Sequence, residues 1–461
     1  MEDLFKTYKR NVALGINIDN LYYIYDRSSN NILEVSKYIY ENLDYLSLFE
    51  SSIENIFINK KLSANYFNQW IPKLNTLKQN IDNTLSELTL NITETCNFRC
   101  KYCFFNKKKI EESYSKSMSL KTAKKAVDFY FKNSNNCNHQ ISFIGGEPLL
   151  KFNLIKKIVE YIKTFNNKVS FTIITNGSLL KEDILNYLIE NMFHITISFD
   201  GEKEIQGLNR LSKDKKNSFD IVYNNIRKIQ LNNTRYFEQY VTINSVYSIN
   251  ITSSLSEFTN YLEAHFKNKF AINIQSSEIN DEYTKFHNNF TKSFLSIYEN
   301  IHIQGFENSS PPLFIISSDL HKKMMFFSRR SNNILQEETR FIPIKSCLPY
   351  LNKIYISPTG DIFMCSDLYY IKGFNIGNID KSIELNKLQD IMTQYTNFRN
   401  KTCKKCWVYR FCDFCFYTLY ASKERKGINK YCKIIKYDYA QVIKSYIKIL
   451  KSNGSAFDIY Y

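Results

Sequence analysis

The sequence predicts an α/β fold: a parallel sheet of about six strands curled into a partial (β/α)6 barrel, flanked by a small N-terminal αβ module and a cysteine-rich C-terminal segment. Two observations carry this. Short apolar runs at residues 141–144, 169–174 and 194–199 alternate with stretches of helical periodicity, and such alternation with short loops means a parallel sheet covered by helices. Glycine is scarce, 12 of 461 residues, yet Gly145, Gly146, Gly177 and Gly201 stand where those runs end. Ligands in such folds gather at the strands' carboxyl ends.

Residues 1–85 read as the N-terminal module. Residues 15–25 and 31–34 form a hairpin around 26–30, followed by helical periodicity over 35–48 and again over 65–85. The barrel segment, residues 86–305, opens with a strand at 85–92. Ser119 is placed to cap a helix over 120–132 with Ala123, Ala126, Val127 and Tyr130 on one face. Leu154, Ile155, Ile158, Ile162 and Phe165 mark the next helix, and residues 240–244 and 270–275 read as later strands. Residues 306–345, with Pro311-Pro312 and weak periodicity, read as a bridge. Residues 346–461 follow, ending in an amphipathic helix over 433–452.

With 44% hydrophobic and 23% charged residues, the composition is that of a globular protein. No apolar run approaches the length of a membrane span, and the first residues lack a signal peptide's apolar core. The cytoplasm is the expected location, with no membrane partner. The net charge of +16 comes largely from lysine spread along the chain. The basic–aromatic interleaving of a nucleic-acid groove is missing, so no nucleic-acid partner is expected. Eleven cysteines in a reducing compartment point to metal or redox chemistry rather than disulfides. Three fall within residues 96–103 and seven within 347–432. Cys137 stands alone and reads as a small buried hydrophobe.

Cys96, Cys100 and Cys103 follow directly on the first strand. Three thiolates ligate three irons of a [4Fe–4S] cube and leave the fourth open. The alternatives are buried thiols or a zinc site, which completes a tetrahedral set of four although no fourth ligand stands nearby. With Tyr102 just before the last cysteine, this loop resembles that of the radical S-adenosylmethionine (SAM) superfamily. Gly145-Gly146-Glu147-Pro148 is similar to that family's motif for the methionine amino group of SAM. Its glycines allow close backbone approach to a ligand, Glu147 adds charge and Pro148 fixes the turn. Thr175-Asn176-Gly177 is similar to the ribose-contacting strand end. Ser198 and Arg210, twelve residues later, resemble the pair that holds the SAM carboxylate in the peptide-modifying branch. The forked donors of a guanidinium suit that role.

The resemblance implies a TIM-like barrel in which Cys96, Cys100 and Cys103 hold a [4Fe–4S] cluster and SAM chelates the open iron. One-electron cleavage of SAM then gives methionine and a 5′-deoxyadenosyl radical. An electron donor such as flavodoxin or ferredoxin is implied with it.

In the tail, Cys347 and Cys365 bracket a hairpin with Gly360 at its turn. Cys403, Cys406, Cys412, Cys415 and Cys432 follow. A zinc ribbon spaces its cysteine pairs by about 15–20 residues, whereas five residues separate these pairs. The layout resembles the SPASM domain, an extension carrying two auxiliary [4Fe–4S] clusters. One departure is the two-residue gap before Cys415, where three are usual. By that resemblance Cys403, Cys406, Cys412 and Cys432 hold the outer cluster, and Cys347, Cys365 and Cys415 the inner one. The inner cluster then has an open iron, or Asp367 or another nearby group closes it.

SPASM enzymes mostly modify ribosomally made peptides, and the chain resembles the maturases of the sactipeptide and ranthipeptide type. The expected partner is a cysteine-rich precursor peptide with a leader, and the expected product a thioether or carbon–carbon crosslink. The N-terminal module resembles, weakly, a leader-binding winged-helix fold with a three-stranded sheet, which takes a strand at its edge; a structural cap is the equal alternative. A second reading is an anaerobic sulfatase maturase, which makes formylglycine. There an Asp directly follows the second hairpin cysteine and acts as base; here Ser366 occupies that position and Asp367, one residue on, is the candidate. A non-catalytic iron–sulfur electron carrier and a tRNA-modifying enzyme are further classes. The intact glycine and Ser/Arg motifs disfavour the first, and the missing basic groove disfavours the second.

Overall fold

The computed structural model describes residues 5–8, 13–27, 31–44, 74–103, 116–165, 167–275, 280–305, 311–329, 352–369, 371–403, 406–409, 411–415, 417–419 and 428–460. The N-terminal module is a four-stranded antiparallel sheet, not a three-stranded one. It comprises β1 (Phe5–Tyr8), β2 (Ala13–Ile18), β3 (Leu21–Asp26) and β4 (Asn31–Val35) in that order. The run predicted over 15–25 is broken by Asp19 and Asn20 at φ 49° and 62°. That left-handed pair fits a tight hairpin turn, and Asp and Asn are the side chains that tolerate it. Ser36 caps a helix at Lys37–Asn42. The rest of the helix predicted over 35–48, and residues 65–73, lie largely outside the described residues.

The barrel segment follows prediction closely. Six parallel strands lie side by side: β5 (Glu87–Thr93), β6 (Asn138–Gly145), β7 (Lys168–Thr175), β8 (His194–Ser198), β9 (Val241–Tyr247) and β10 (Phe270–Ile274). The helix Leu120–Lys132 is capped by Ser119 and buries Ala123, Ala126, Val127 and Tyr130. Those positions repeat at helical spacing, so a single stripe covers the sheet.

Two features depart from expectation. The hairpin of the C-terminal segment, β11 (Lys353–Ile356) and β12 (Asp361–Phe363), does not stand apart. β11 pairs in parallel with β5, from Lys353 opposite Glu87 to Ile356 opposite Leu90. With β13 (Gly377–Asn378) and β14 (Ser382–Ile383) it continues the barrel sheet to ten strands. The predicted bridge is largely helical where described, with helices at Leu313–Ser317 and Asp319–Ser328. Phe314, Ile315, Leu320 and Phe327 are core residues. The first helix packs on β10 and the second on the C-terminal helix Ile428–Ser452.

The N-terminal sheet is seated on the C-terminal segment. The fully buried Tyr25 ring lies 5.8 Å from Phe327, 6.4 Å from Trp407 and 5.4 Å from Phe411. Arg27 Nη1 donates to the Cys406 carbonyl at 3.3 Å, and the Lys451 ammonium sits 4.9 Å from the Tyr23 ring centroid. Truncating a buried aromatic of this kind costs about 3–5 kcal/mol. Removal of residues 1–85 would therefore uncover a core surface. Among the described residues no helix is long and apolar enough to cross a membrane.

Candidate functional site

The chain leaves β5 at its carboxyl end and enters the loop carrying Cys96, Cys100 and Cys103. This loop is stitched to a segment more than a hundred residues away. Arg99 N donates to the Leu211 carbonyl at 2.7 Å, Lys101 N to Asn209 at 2.9 Å, and Lys213 N to the Asn97 carbonyl at 2.8 Å. Cys103 N closes a turn onto the Cys100 carbonyl at 3.1 Å. The ladder brings Arg210 to the loop: its Nη1 lies 4.0 Å from the Cys100 sulfur and its guanidinium 5.3 Å from the Tyr102 ring. Burial pushes the Cys100 thiol up to about 12, with Arg210 pulling the other way. Burial likewise raises Cys96, eased by the Phe98 amide at 3.3 Å. Such thiols lose their protons readily only to a metal, because metal binding and deprotonation are coupled.

Gly145 and Gly146 meet the neighbouring strand's exit. A β-carbon on Gly145 would stand 2.3 Å from the Thr93 carbonyl oxygen, and one on Gly146 2.3 Å from that of Thr95. The backbone that leads into Cys96 is thus itself close enough to require glycine at both positions. Glu147 is fully buried. Its carboxylate accepts from Thr175 Oγ1 at 2.7 Å, Asn176 N at 2.7 Å and Leu149 N at 3.1 Å. Burial pushes this carboxyl up to about 7, and the three donors oppose that. Glu147 thus ties the end of β6 to the end of β7. Pro148 begins a short 3-10 turn.

Asn176 Nδ2 donates to Asn97 Oδ1 at 2.8 Å and lies 3.9 Å from the Cys96 sulfur, while Asn97 Nδ2 donates to Ser178 Oγ at 2.9 Å. Asn97 and Ser178 were missed in the sequence; both flank motif residues, which is the signal that pointed near them. Asp200, two residues after Ser198, is a further residue that the sequence motifs did not single out. It is wholly buried and accepts from Arg210 Nε at 2.9 Å, Tyr102 Oη at 2.5 Å and Val246 N at 3.1 Å. Arg210 therefore presents its Nη side, not its Nε, toward the cysteine loop. Ser198 is half-buried at the end of β8.

In the C-terminal segment Cys403, Cys406, Cys412 and Cys432 line a single cavity with Tyr409, Phe414 and Lys436. Burial pushes Cys403 up to about 12 and Cys412 up to about 11, with the Arg399 guanidinium opposing in both. Arg399 is 2% exposed, and its Nε and Nη1 lack hydrogen-bond partners. Four thiols with a buried, unsatisfied cation beside them form a donor set suited to an anionic metal–sulfur group. Burial pushes the Cys365 thiol up to about 12, and Asp367 and then Cys415 add to the rise. Cys347 lies outside the described residues. Asp367 is exposed beside Cys365. Tyr369 on the same turn donates to the buried Glu94 at 2.6 Å, tying this segment to the exit of β5. Cys137 is exposed, not buried as its isolation suggested. Among the described residues no three Cys, His, Asp or Glu side chains converge on one ion-sized point. A cube takes its thiolates on separate irons, so its ligands need not converge.

Residues 90–254 match the model of the Radical SAM superfamily. The radical SAM cyclopropyl synthase TigE of Paramaledivibacter caminithermalis is 25% identical over 61% of this chain and 57% of its own. A cysteine-type anaerobic sulfatase-maturating enzyme of Clostridium perfringens (strain ATCC 13124) is 24% identical over 77% of this chain and 96% of its own. Two shorter matches of higher identity span 45% and 40% of their relatives, so the chain spans about half the length of several curated relatives it resembles. Among solved structures, native anSMEcpe with bound AdoMet and Cp18Cys peptide superposes with a TM-score of 0.57 at 18% identity, covering 79% of this chain and 99% of that one. The likeness to that chain is one of fold. The cysteine loop at the end of β5 and the glycine turn at the end of β6 both fall within the superfamily match, so residues 90–254 carry a radical SAM domain.

Proposed function

We propose that the protein is a radical SAM peptide maturase that acts on a ribosomally synthesised, leader-bearing peptide. One observation carries this reading: the loop of Cys96, Cys100 and Cys103 is laced to residues 209–213, which sets Arg210 against Cys100 at the mouth of the parallel sheet. The residues present fit a three-thiolate [4Fe–4S] group. All three thiols lie on one short loop at the strands' carboxyl ends, and a buried cation stands beside them. When bound, that group supplies the electron that cleaves SAM to methionine and a 5′-deoxyadenosyl radical.

The chain's own residues position the reactants. The Nη groups of Arg210 hold a carboxylate while Asp200 fixes Nε, with Ser198 on the adjacent strand end. Glu147 holds the ends of β6 and β7 in register, so that Gly145–Gly146 and Thr175–Asn176 form one continuous SAM-facing rim. Cys403, Cys406, Cys412 and Cys432 hold one auxiliary cluster, and Cys365, Cys415 and Cys347 a second. A soluble one-electron protein donor such as flavodoxin or ferredoxin supplies the reductant. The N-terminal sheet docks the leader at an edge strand. The peptides bound in anSMEcpe structures favour a peptide substrate.

The second reading, formylglycine formation on a sulfatase-type peptide, is favoured by the match to the clostridial maturase over 96% of that chain. The exposed Asp367, displaced by one residue, weighs against it. The experiment is turnover by anaerobically reconstituted protein, followed by mass spectrometry. A precursor with its leader should be modified, and the leaderless core at least tenfold more slowly. Formylglycine in a sulfatase-type cysteine peptide would establish the second reading instead.

A further inference from the structure

Arg399 occupies the last turn of the helix Leu385–Thr402, four residues before Cys403, whose amide donates to the Arg399 carbonyl at 2.8 Å. Its side chain is buried among aromatic rings, the guanidinium 5.0 Å from Tyr409 and 5.9 Å from Tyr395. Nη2 donates to the Tyr409 carbonyl at 3.3 Å, but Nε and Nη1 are buried without any partner. A buried cation is costly unless it is compensated, and Arg399 forms no ion pair among the described residues. It stands beside the thiols: Tyr409, whose carbonyl takes Nη2, lines the cysteine cavity, and the guanidinium charge opposes the burial-driven rise at Cys412, Cys403 and Cys432. Lys436, half-buried, lines the same cavity.

We propose that Arg399 is the counter-cation of the iron–sulfur group held by Cys403, Cys406, Cys412 and Cys432. It donates its two unpartnered N–H groups to sulfur and raises that group's reduction potential. The inference rests on reading those four cysteines as one ligand set. A four-thiolate [4Fe–4S] group is already anionic, and one added electron deepens its charge with no proton taken up. Arg399 keeps its own charge throughout, so it stabilises the reduced state more than the oxidised one. Charge and hydrogen bonds to the sulfurs are among the levers that set such potentials. Arginine suits the place because it remains charged when buried and its donors are fixed in a fork. Arg399 acts through the cluster's environment and is a positioning residue, not a catalytic one.

The test is a redox titration of the reconstituted full chain with dithionite, followed by electron paramagnetic resonance. The background carries Cys96→Ala, Cys100→Ala and Cys103→Ala, so that only auxiliary signals remain. Cys432→Ser examines the ligand set by itself. If iron content and signals do not change, those cysteines are not a set, whatever Arg399 does. If one signal is lost, that signal is followed in the Arg399 variants. Arg399→Met should shift its one-electron equilibrium at least tenfold toward the oxidised state, about 59 mV, and Arg399→Lys should restore a large part of the shift. An unchanged potential in the methionine variant overturns the proposal. If the methionine variant fails to hold the group while the lysine variant holds it, with equal thermal midpoints, the charge requirement is upheld. Loss from both variants at an unchanged midpoint overturns it in favour of a packing role.

Discussion

The cysteine loop of the barrel and the cysteine cavity of the C-terminal segment handle buried thiols differently. In the loop, three cysteines come from one stretch of eight residues, and their order is imposed from outside. Backbone bonds to 209–213, the Asn97–Asn176–Ser178 chain and the Asp200–Arg210 pair fix a short segment that has little secondary structure of its own. In the cavity, four cysteines arrive from a helix end, a turn and a second helix, and aromatic side chains wall them in. The loop's cation is already paired with a carboxylate, whereas Arg399 keeps two donors unspent. The loop neutralises its buried charge internally and turns the Arg210 Nη side toward the cysteines, whereas the cavity keeps a buried cation without a counter-charge among the described residues.

The largest effect that would break this comparison is in activity. Cys100→Ala should reduce SAM cleavage to background, as read by 5′-deoxyadenosine release, while Cys432→Ser should retain uncoupled cleavage. Equal loss in both would mean that the two regions act as one site.

Next is the buried pair. Asp200→Asn leaves the Arg210 guanidinium buried without its counter-charge, and breaking such a pair costs about 3–5 kcal/mol. Urea unfolding of the metal-free protein measures it. A loss under about 1 kcal/mol would show that Arg210 is solvated rather than held.

Glu147 sharpens the comparison through pH. Its folded-state pKa is raised to about 7 from an ordinary 4.5, so the folded protein binds this proton more tightly than the unfolded chain. The stabilisation is complete below about 4.5 and is lost as pH rises to about 7, at up to about 1.4 kcal/mol per pH unit. Glu147→Gln should flatten the decline between pH 5 and 7 in urea melts; an unaltered slope would assign it to another group.

The smallest effect belongs to the surface. Lys203 and Asp220 form an exposed pair at 2.8 Å between the helices Lys203–Asn209 and Phe219–Asn232 that flank Arg210 in sequence. Lys203→Ala should cost no more than about 1 kcal/mol, and a larger loss would show that this pair takes part in ordering the loop.

Much of the barrel was legible because its signals are local. Ser119 with its apolar stripe marked a helix end and face, and the runs before Gly145 and Gly177 marked strands, because periodicity reports which side of an element meets the core. The N-terminal sheet was read less well. Asp19-Asn20 is a turn signal only when the chain is allowed to fold back, and without that the two flanking strands read as one. The helices Leu313–Ser317 and Asp319–Ser328 are short, and their burial depends on neighbours distant in sequence, so periodicity alone showed a bridge.

The sequence by itself determined the chemistry available: three thiols at a strand end, a glycine pair, a paired Ser and Arg, and a second group of cysteines. Each is a matter of residue type and spacing along a few turns of chain. Only the tertiary structure decided how these parts serve one another. It set Asp200 under Arg210, gave the glycines their close neighbours at Thr93 and Thr95, and turned Glu147 into a tie between strands. It added β11 to the barrel sheet and seated the N-terminal strands on Phe327, Trp407 and Phe411. The physical reason is that desolvation and partner choice are properties of a packed interior. A buried charge or thiol is defined by what surrounds it, and those surroundings come from segments up to several hundred residues apart.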